Sequence, residues 1–261
     1  MNNTKFYYLY SILSITALSF FNPILYIYLL SKDFSFTEVG LYLSIFWLVS
    51  FMTELPCGAI TDNIGAKNSI LLSVVFRVVG LILLLSNSLI LLYISAILSA
   101  IAESFQSGTL TSWLINVNNK NNEEIDIDKV LSRSSLYSLF FSAVIGFISA
   151  KYVYVYYKSL SIILSMSIFI ISFLFTYLFM QKLEQTQKIS IENLKGSIVT
   201  VKNSLKETLY VKSSVFLMIL FVIPSILDLG PSNQWQAVFE KLDADIIGYV
   251  WVGISVSGML G

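Results

Sequence analysis

The chain has no histidine and a single cysteine, Cys57, among its 261 residues. One thiol cannot close an intrachain disulfide, and a cysteine-based metal site is not expected. Without imidazole, a proton relay must run through carboxylates. Charge is also scarce. Asp, Glu, Lys and Arg make up 12% of the residues, against about a quarter in soluble domains. Sixteen cationic and sixteen acidic side chains cancel, so no nucleic-acid partner is suggested. No G-x-x-x-x-G-K-[ST] stretch occurs, so the chain brings no ATP site of its own, and no cofactor is expected. Neither a metal cluster nor a Ser/His pair is present, which argues against an intramembrane enzyme.

Apolar residues fill the space that charge leaves. They make up 56% of the chain, and the mean hydropathy is +0.77. Residues 6 to 31 carry no charge. That run is too long for a signal-peptide core and has no small-residue cleavage site after it, so it reads as a retained first span. A span needs about 20 apolar residues. Eight candidates follow, at about 7–30, 39–60, 68–86, 89–114, 133–156, 159–180, 213–238 and from 246 onward. The fold class expected is an all-α membrane protein. Ser86-Asn87-Ser88 forces the third and fourth spans into an antiparallel hairpin. Gln181 to Lys212 holds six lysines and three glutamates. Its apolar spacing (Ile189, Ile191, Leu194, Ile198, Val201, Leu205) suits an amphipathic helix on the membrane surface, or else a solvated linker. The expected organisation is a six-helix bundle over 1–180, a connector over 181–212 and the start of a second bundle over 213–261.

With the N-terminus inside, Lys5, Lys67, Lys120, Lys129, Arg133 and the six connector lysines face the cytoplasm. Lys32, Lys151, Lys158 and Lys241 face outward. Eleven against four sets the N-terminus on the cytoplasmic side. A gapless shift of 208 residues puts Pro23 on Pro231 and Gly40 on Gly248, so the seventh span looks like the first. By that register residue 261 corresponds to Thr53, inside the second span, and the chain is expected to be a truncated form of a longer helical protein.

The hairpin between the second and third spans reads Gly58-Ala-Ile-Thr-Asp62-Asn-Ile-Gly65-Ala-Lys67. About seven residues link the two helices on this reading. Gly65 takes a positive φ at no steric cost. Asp62 can accept hydrogen bonds from free N–H groups at a helix N-terminus, where the dipole suits its charge.

This hairpin resembles the G-x-L-A-D-R-x-G-R-K loop of the major facilitator superfamily. Gly58, Asp62, Gly65 and Lys67 match; Ile60 and Thr61 stand for the leucine and alanine; Asn63 and Ala66 replace two basic residues. Glu54-Leu-Pro56-Cys-Gly58 resembles the E-x-P-x-G of drug-exporter-like members. The run from Ser107-Gly108 to Trp113 resembles a small-residue stretch of their fourth helix. The fourth-helix arginine of many proton-coupled exporters is absent. So is the Gly-Pro signature of the fifth helix, where Ala143, Gly146 and Ala150 stand without the proline. The resemblance implies a bundle of two six-helix halves, of which this chain holds the first and one to two helices of the second. It also implies a latch at the hairpin carboxylate and a central cavity lined by helices one, four, seven and ten. Asn22, Tyr26, the fourth helix and Asp228 would then lie near a substrate path.

Four of the charged residues inside spans are candidates for function: Glu54, Arg77, Glu103 and Asp228. Each costs about 2.5–3.5 kcal/mol near a helix centre unless paired or wetted. Counted at 1.5 Å per residue, Arg77 lies roughly 13 Å from the cytoplasmic end of its helix and Glu103 roughly 16 Å. Their helices form the tight hairpin, so an Arg77–Glu103 pair is expected. Glu54, roughly 9 Å deep, is a second partner for Arg77 or for the loop. Ser95, Ser99, Glu103, Gln106 and Thr109 share one helical stripe, which in lipid must face protein or water. Asp228 lies between Pro224 and Pro231, both of which invite a kink. Phe46, Trp47 and Trp113 are expected to face lipid or core.

The function expected is secondary active transport by alternating access: efflux of small, partly apolar compounds with a proton as coupling ion. The protein is expected to be a monomer in the plasma membrane. A sugar or other nutrient importer of the same fold is the near alternative, although its inner stripe should be richer in Asn, Gln and Trp. A non-transporting, immunity-type membrane protein is the other.

Overall fold

A segment in hydrocarbon must satisfy its backbone N–H and C=O groups internally, which for single segments leaves the helix. The computed structural model describes residues 2–121, 125–183, 210–240 and 246–260, and among these only helices and turns occur. Six helices are long and apolar enough to cross a membrane: α1 (Asn3–Leu30), α2 (Phe36–Ile64), α3 (Ala66–Leu84), α4 (Leu89–Asn121), α5 (Ile127–Tyr156) and α6 (Leu160–Phe179). Two more follow, α7 (Lys212–Glu240) and α8 (Ile246–Leu260). Most of the connector expected to lie along the membrane is outside the described residues.

Several helices begin earlier than hydropathy alone suggests, because their first turns are polar and capped. Asn2 accepts from the Thr4 N–H at the start of α1. Ser35 and Glu38 form a capping box on α2, and Asp126 caps α5.

The α2–α3 hairpin is tighter than expected. Gly65 alone separates the helices, at φ 82° and ψ 152°. Asp62 sits exposed in the last turn of α2 and does not cap α3, whose N-cap is Gly65 with no side-chain bond. The helix runs past Asp62, and its neighbours bond back to carbonyls of the preceding turn. Thr61 Oγ1 donates to the Cys57 carbonyl at 2.8 Å, and Asn63 Nδ2 to that of Ala59 at 2.6 Å.

Small residues and hydroxyls join the helices. Ser95 Oγ donates to the Gly80 carbonyl at 2.8 Å, where α3 and α4 approach closely. Ser165 Oγ donates to the Ala17 carbonyl at 2.6 Å, and Ser19 Oγ to Ser142 Oγ at 3.1 Å, fixing α6 and α5 on α1. Lys32, in the α1–α2 turn, donates to the carbonyls of Leu84, Leu85 and Ser86 at 3.2, 2.5 and 2.8 Å. It closes the C-terminus of α3, where a cation suits the dipole. Burial holds its ammonium below the ordinary lysine pKa.

α8 packs on α5 through a notch. Trp251 Nε1 donates to the Ser142 carbonyl at 2.9 Å. A Cβ at Gly146 would lie 2.1 Å from that nitrogen. Gly146→Ala is therefore expected to expel the indole and to cost about 1–3 kcal/mol. A lowered thermal unfolding temperature in detergent, with altered tryptophan emission, checks this; an unchanged melting curve would mean the ring does not need the notch.

Three helices break regularity. α1 has a 3-10 turn at Asn22–Ile24, where Pro23 lacks an N–H. α4 is interrupted at Gly108, φ 65°. α5 contains a π turn at Ser149–Val153. The backbone of α7 stays helical through both Pro224 and Pro231, so the likeness of α7 to α1 does not extend to a break.

Candidate functional site

The α1 break and the close α3–α4 hairpin together shape a cavity of about 370 Å³ between α1, α2, α3, α4, α7 and α8. Its polar lining is Asn22, Arg77, Ser99, Glu103 and Gln236, with the phenols of Tyr26 and Tyr42. The remaining wall is aliphatic and aromatic, including Phe46, Trp47, Trp235 and Trp251. The indoles of Trp235 and Trp251 stack, with centroids 6.3 Å apart.

The pair inferred from counted depths is present. Arg77 Nη2 donates to Glu103 Oε2. The two members differ in environment: the Arg77 side chain is 5% exposed, that of Glu103 45%. The guanidinium is enclosed and the carboxylate looks into the cavity. Arg77 Nε has no partner among the described residues. Tyr10 and Tyr42 lie within electrostatic reach of Arg77. An enclosed cation whose counter-ion is reachable from a cavity is a charge that protonation of the carboxylate would unmask.

The other expected residues are dispersed. Asn22 lines the main cavity. Gln106 does not. It lines a second cavity of about 260 Å³, where its Nε2 donates to Ser14 Oγ at 2.7 Å. Leu18 contributes to both walls. The α4 stripe is thus divided. Ser99 and Glu103 face the main cavity and Gln106 the second, while Ser95 bonds to α3 and Thr109 bonds back to Phe105. Glu54 is exposed on α2 and lines neither cavity; counting depth placed it along the helix but not around it. The side chain of Asp228 lies outside the described residues.

In the hairpin, Gly58 is helical with open space around it. Lys67 Nζ donates to the Tyr177 and Met180 carbonyls at 2.7 and 2.9 Å, tying the hairpin to the end of α6. Trp113 is buried and donates to the Gln181 carbonyl at 3.0 Å. Phe46 and Trp47, expected in lipid or core, instead line the cavity.

Sequence reading missed Gln236, Trp235 and Trp251. The polar run Asn233-Gln234-Trp235-Gln236 looks like the wet end of a span, and only packing reveals which of its members turns inward. With Asn22, Gln236 and three tryptophans, the cavity is richer in Asn, Gln and Trp than the fourth-helix stripe suggested.

The profile of the Major Facilitator Superfamily matches residues 7–261. The chain belongs to that superfamily. It is a multi-pass membrane protein of a transporter family rather than of an enzyme family. An uncharacterized MFS-type transporter, YxaM of Bacillus subtilis (strain 168), is 26% identical over 255 residues, covering 94% of this chain and 61% of the relative. The crystal structure of the nucleoside transporter NupG superposes with a TM-score of 0.71 at 13% identity, covering 99% of this chain and 65% of that one. This likeness shows the fold: a superfamily six-helix half-bundle followed by two helices. The chain spans less than two thirds of the length of either protein.

Proposed function

We propose that this superfamily member acts in secondary active transport of small, partly apolar compounds, with the α1–α4/α7/α8 cavity as its substrate path. The observation that carries this is the Arg77–Glu103 pair, whose carboxylate opens onto a largely apolar cavity. Glu103 is the coupling group. Loaded with a proton it releases Arg77 and changes the balance between conformations open to either side. The N-terminus is cytoplasmic, the membrane is the plasma membrane, the direction is export, and the unit is a monomer. Residues 1–180 form one bundle, 181–212 its connector and 213–261 part of a second. The Gly58–Lys67 hairpin acts as the cytoplasmic latch, with Lys67 as its anchor on α6.

A second reading is import of a flat, polar, ring-containing nutrient. The stacked Trp235 and Trp251, beside the amides of Asn22 and Gln236, favour it, and NupG is a nucleoside transporter. A panel of compounds tested in membrane vesicles of both orientations, with and without a protonophore, separates the two. Export predicts proton-dependent accumulation of apolar compounds in inverted vesicles. Import predicts accumulation of nucleoside- or sugar-like compounds in right-side-out vesicles. Accumulation of none of the panel in either would contradict transport.

A further inference from the structure

An unbroken helix pairs the C=O of each residue with the N–H four positions on. In α1 that rule would join the Asn22 carbonyl to the Tyr26 N–H, across Pro23 and the 3-10 turn. Both groups instead reach a side chain of another helix. Tyr26 N–H donates to Gln236 Oε1 at 2.8 Å, and Gln236 Nε2 donates to the Asn22 carbonyl at 2.8 Å. A single carboxamide is thus inserted into the α1 hydrogen-bond ladder, its acceptor on the free donor and its donor on the free acceptor. The carbonyl of Phe20, in the helical turn just before the break, accepts from Ser149 Oγ of the α5 π turn. The accounting is consistent: buried backbone groups freed by the 3-10 turn at Asn22–Ile24 must find partners, and they find them on α5 and α7.

Gln236 is itself buried and lines the central cavity. Around it, α7 packs on Leu25–Leu30, the last turns of α1 before the Ser31–Ser35 turn. We infer that the α1 break is a carboxamide-binding notch, and that Gln236 occupies it as a reversible gate sealing the cavity on the side of the Ser31–Ser35 turn. Gate and notch separate when α7 leaves α1. The notch then presents a C=O and an N–H to the cavity. These suit a ligand with an adjacent donor and acceptor, such as a primary amide or a cyclic imide. The inference rests on the transport reading for its use, but its geometry does not depend on it.

A gate differs from a mere packing contact in needing one donor and one acceptor together. Asparagine is one methylene too short to bridge both helices. Glutamic acid reproduces the pair only when protonated, because an ionised carboxylate has no proton for the Asn22 carbonyl. In a Cys57→Ser background, Leu43→Cys places a thiol on the cavity wall, and a membrane-impermeant maleimide added on the side of the Ser31–Ser35 turn reports access. Slow labelling is expected with Gln236 intact. Labelling is expected to rise about tenfold in Gln236→Ala and in Gln236→Asn, for two hydrogen bonds lost. In Gln236→Glu it should be fast at alkaline pH and slow at acid pH. The other titratable or charged groups lining the cavity are Tyr26, Tyr42, Arg77 and Glu103, so the same pH series on the parent is the reference. Equal labelling in all variants, or a rise in Gln236→Glu that ignores pH, overturns the gate. Labelling that follows the predicted order while no compound is transported upholds the notch and removes the transport reading; transport with unresponsive labelling does the reverse.

Discussion

Glu103→Leu is expected to destabilise the protein by roughly 3–5 kcal/mol, and Arg77→Met by less. The asymmetry follows from burial. Removing Glu103 strands an enclosed guanidinium, whereas removing Arg77 leaves a carboxylate that is 45% exposed and reaches the cavity. The double variant Arg77→Met/Glu103→Leu should recover most of the loss, since a buried ion pair replaced by apolar groups of similar volume is often neutral or stabilising. Denaturant unfolding in mixed micelles, run as a double-mutant cycle, measures this. Additive losses would show that the pair is not coupled. The double variant is also informative for function: a stable, folded protein without the pair separates a structural contact from a transport element.

Gly65→Val is the second large effect. At φ 82° and ψ 152° the residue occupies a backbone region essentially reserved for glycine. A side chain there costs about 1–3 kcal/mol, and valine, branched at Cβ, should lie at the upper end. No second linker residue shares the strain, because Gly65 alone joins α2 to α3. The strain would reach Lys67, two positions on, and its hold on the Tyr177 and Met180 carbonyls. Gly58→Ala, in the same motif, is the control. That position is helical with open space, and alanine in a helix is favoured over glycine by about 1 kcal/mol. Thermal unfolding of the two variants should move in opposite directions; a shared direction would show that the motif's glycines are not distinguished by backbone geometry.

These two sites also show what was legible in the sequence. Hydropathy and loop polarity located the eight helices, because lipid permits few alternatives. Helical rise placed Arg77 and Glu103 at one depth, and a three-residue connection left their helices adjacent. Gly65 was legible because a tight turn needs its conformation. Depth along a helix does not fix rotation about it, so Glu54 was read as a partner although it lies exposed and lines neither cavity. Asp62 was read as a cap because a link of about seven residues was expected there, whereas α2 runs through it to Ile64 and leaves Gly65 as the whole link. Gln236 was illegible for a different reason. Its role depends on two backbone groups of α1 that lie 210 and 214 positions away and are freed only by the turn at Pro23.

The central claim is that Glu103 couples a proton to movement of substrate through the cavity. Vesicles bearing the protein or its Glu103→Gln variant, loaded with a compound that the protein moves, measure it most directly. Glutamine is neutral, like the proton-loaded carboxyl, but cannot exchange a proton. The account predicts that the variant folds and still equilibrates the compound down its own gradient, yet no longer accumulates it when a pH gradient is imposed. Undiminished pH-driven accumulation in Glu103→Gln would contradict it.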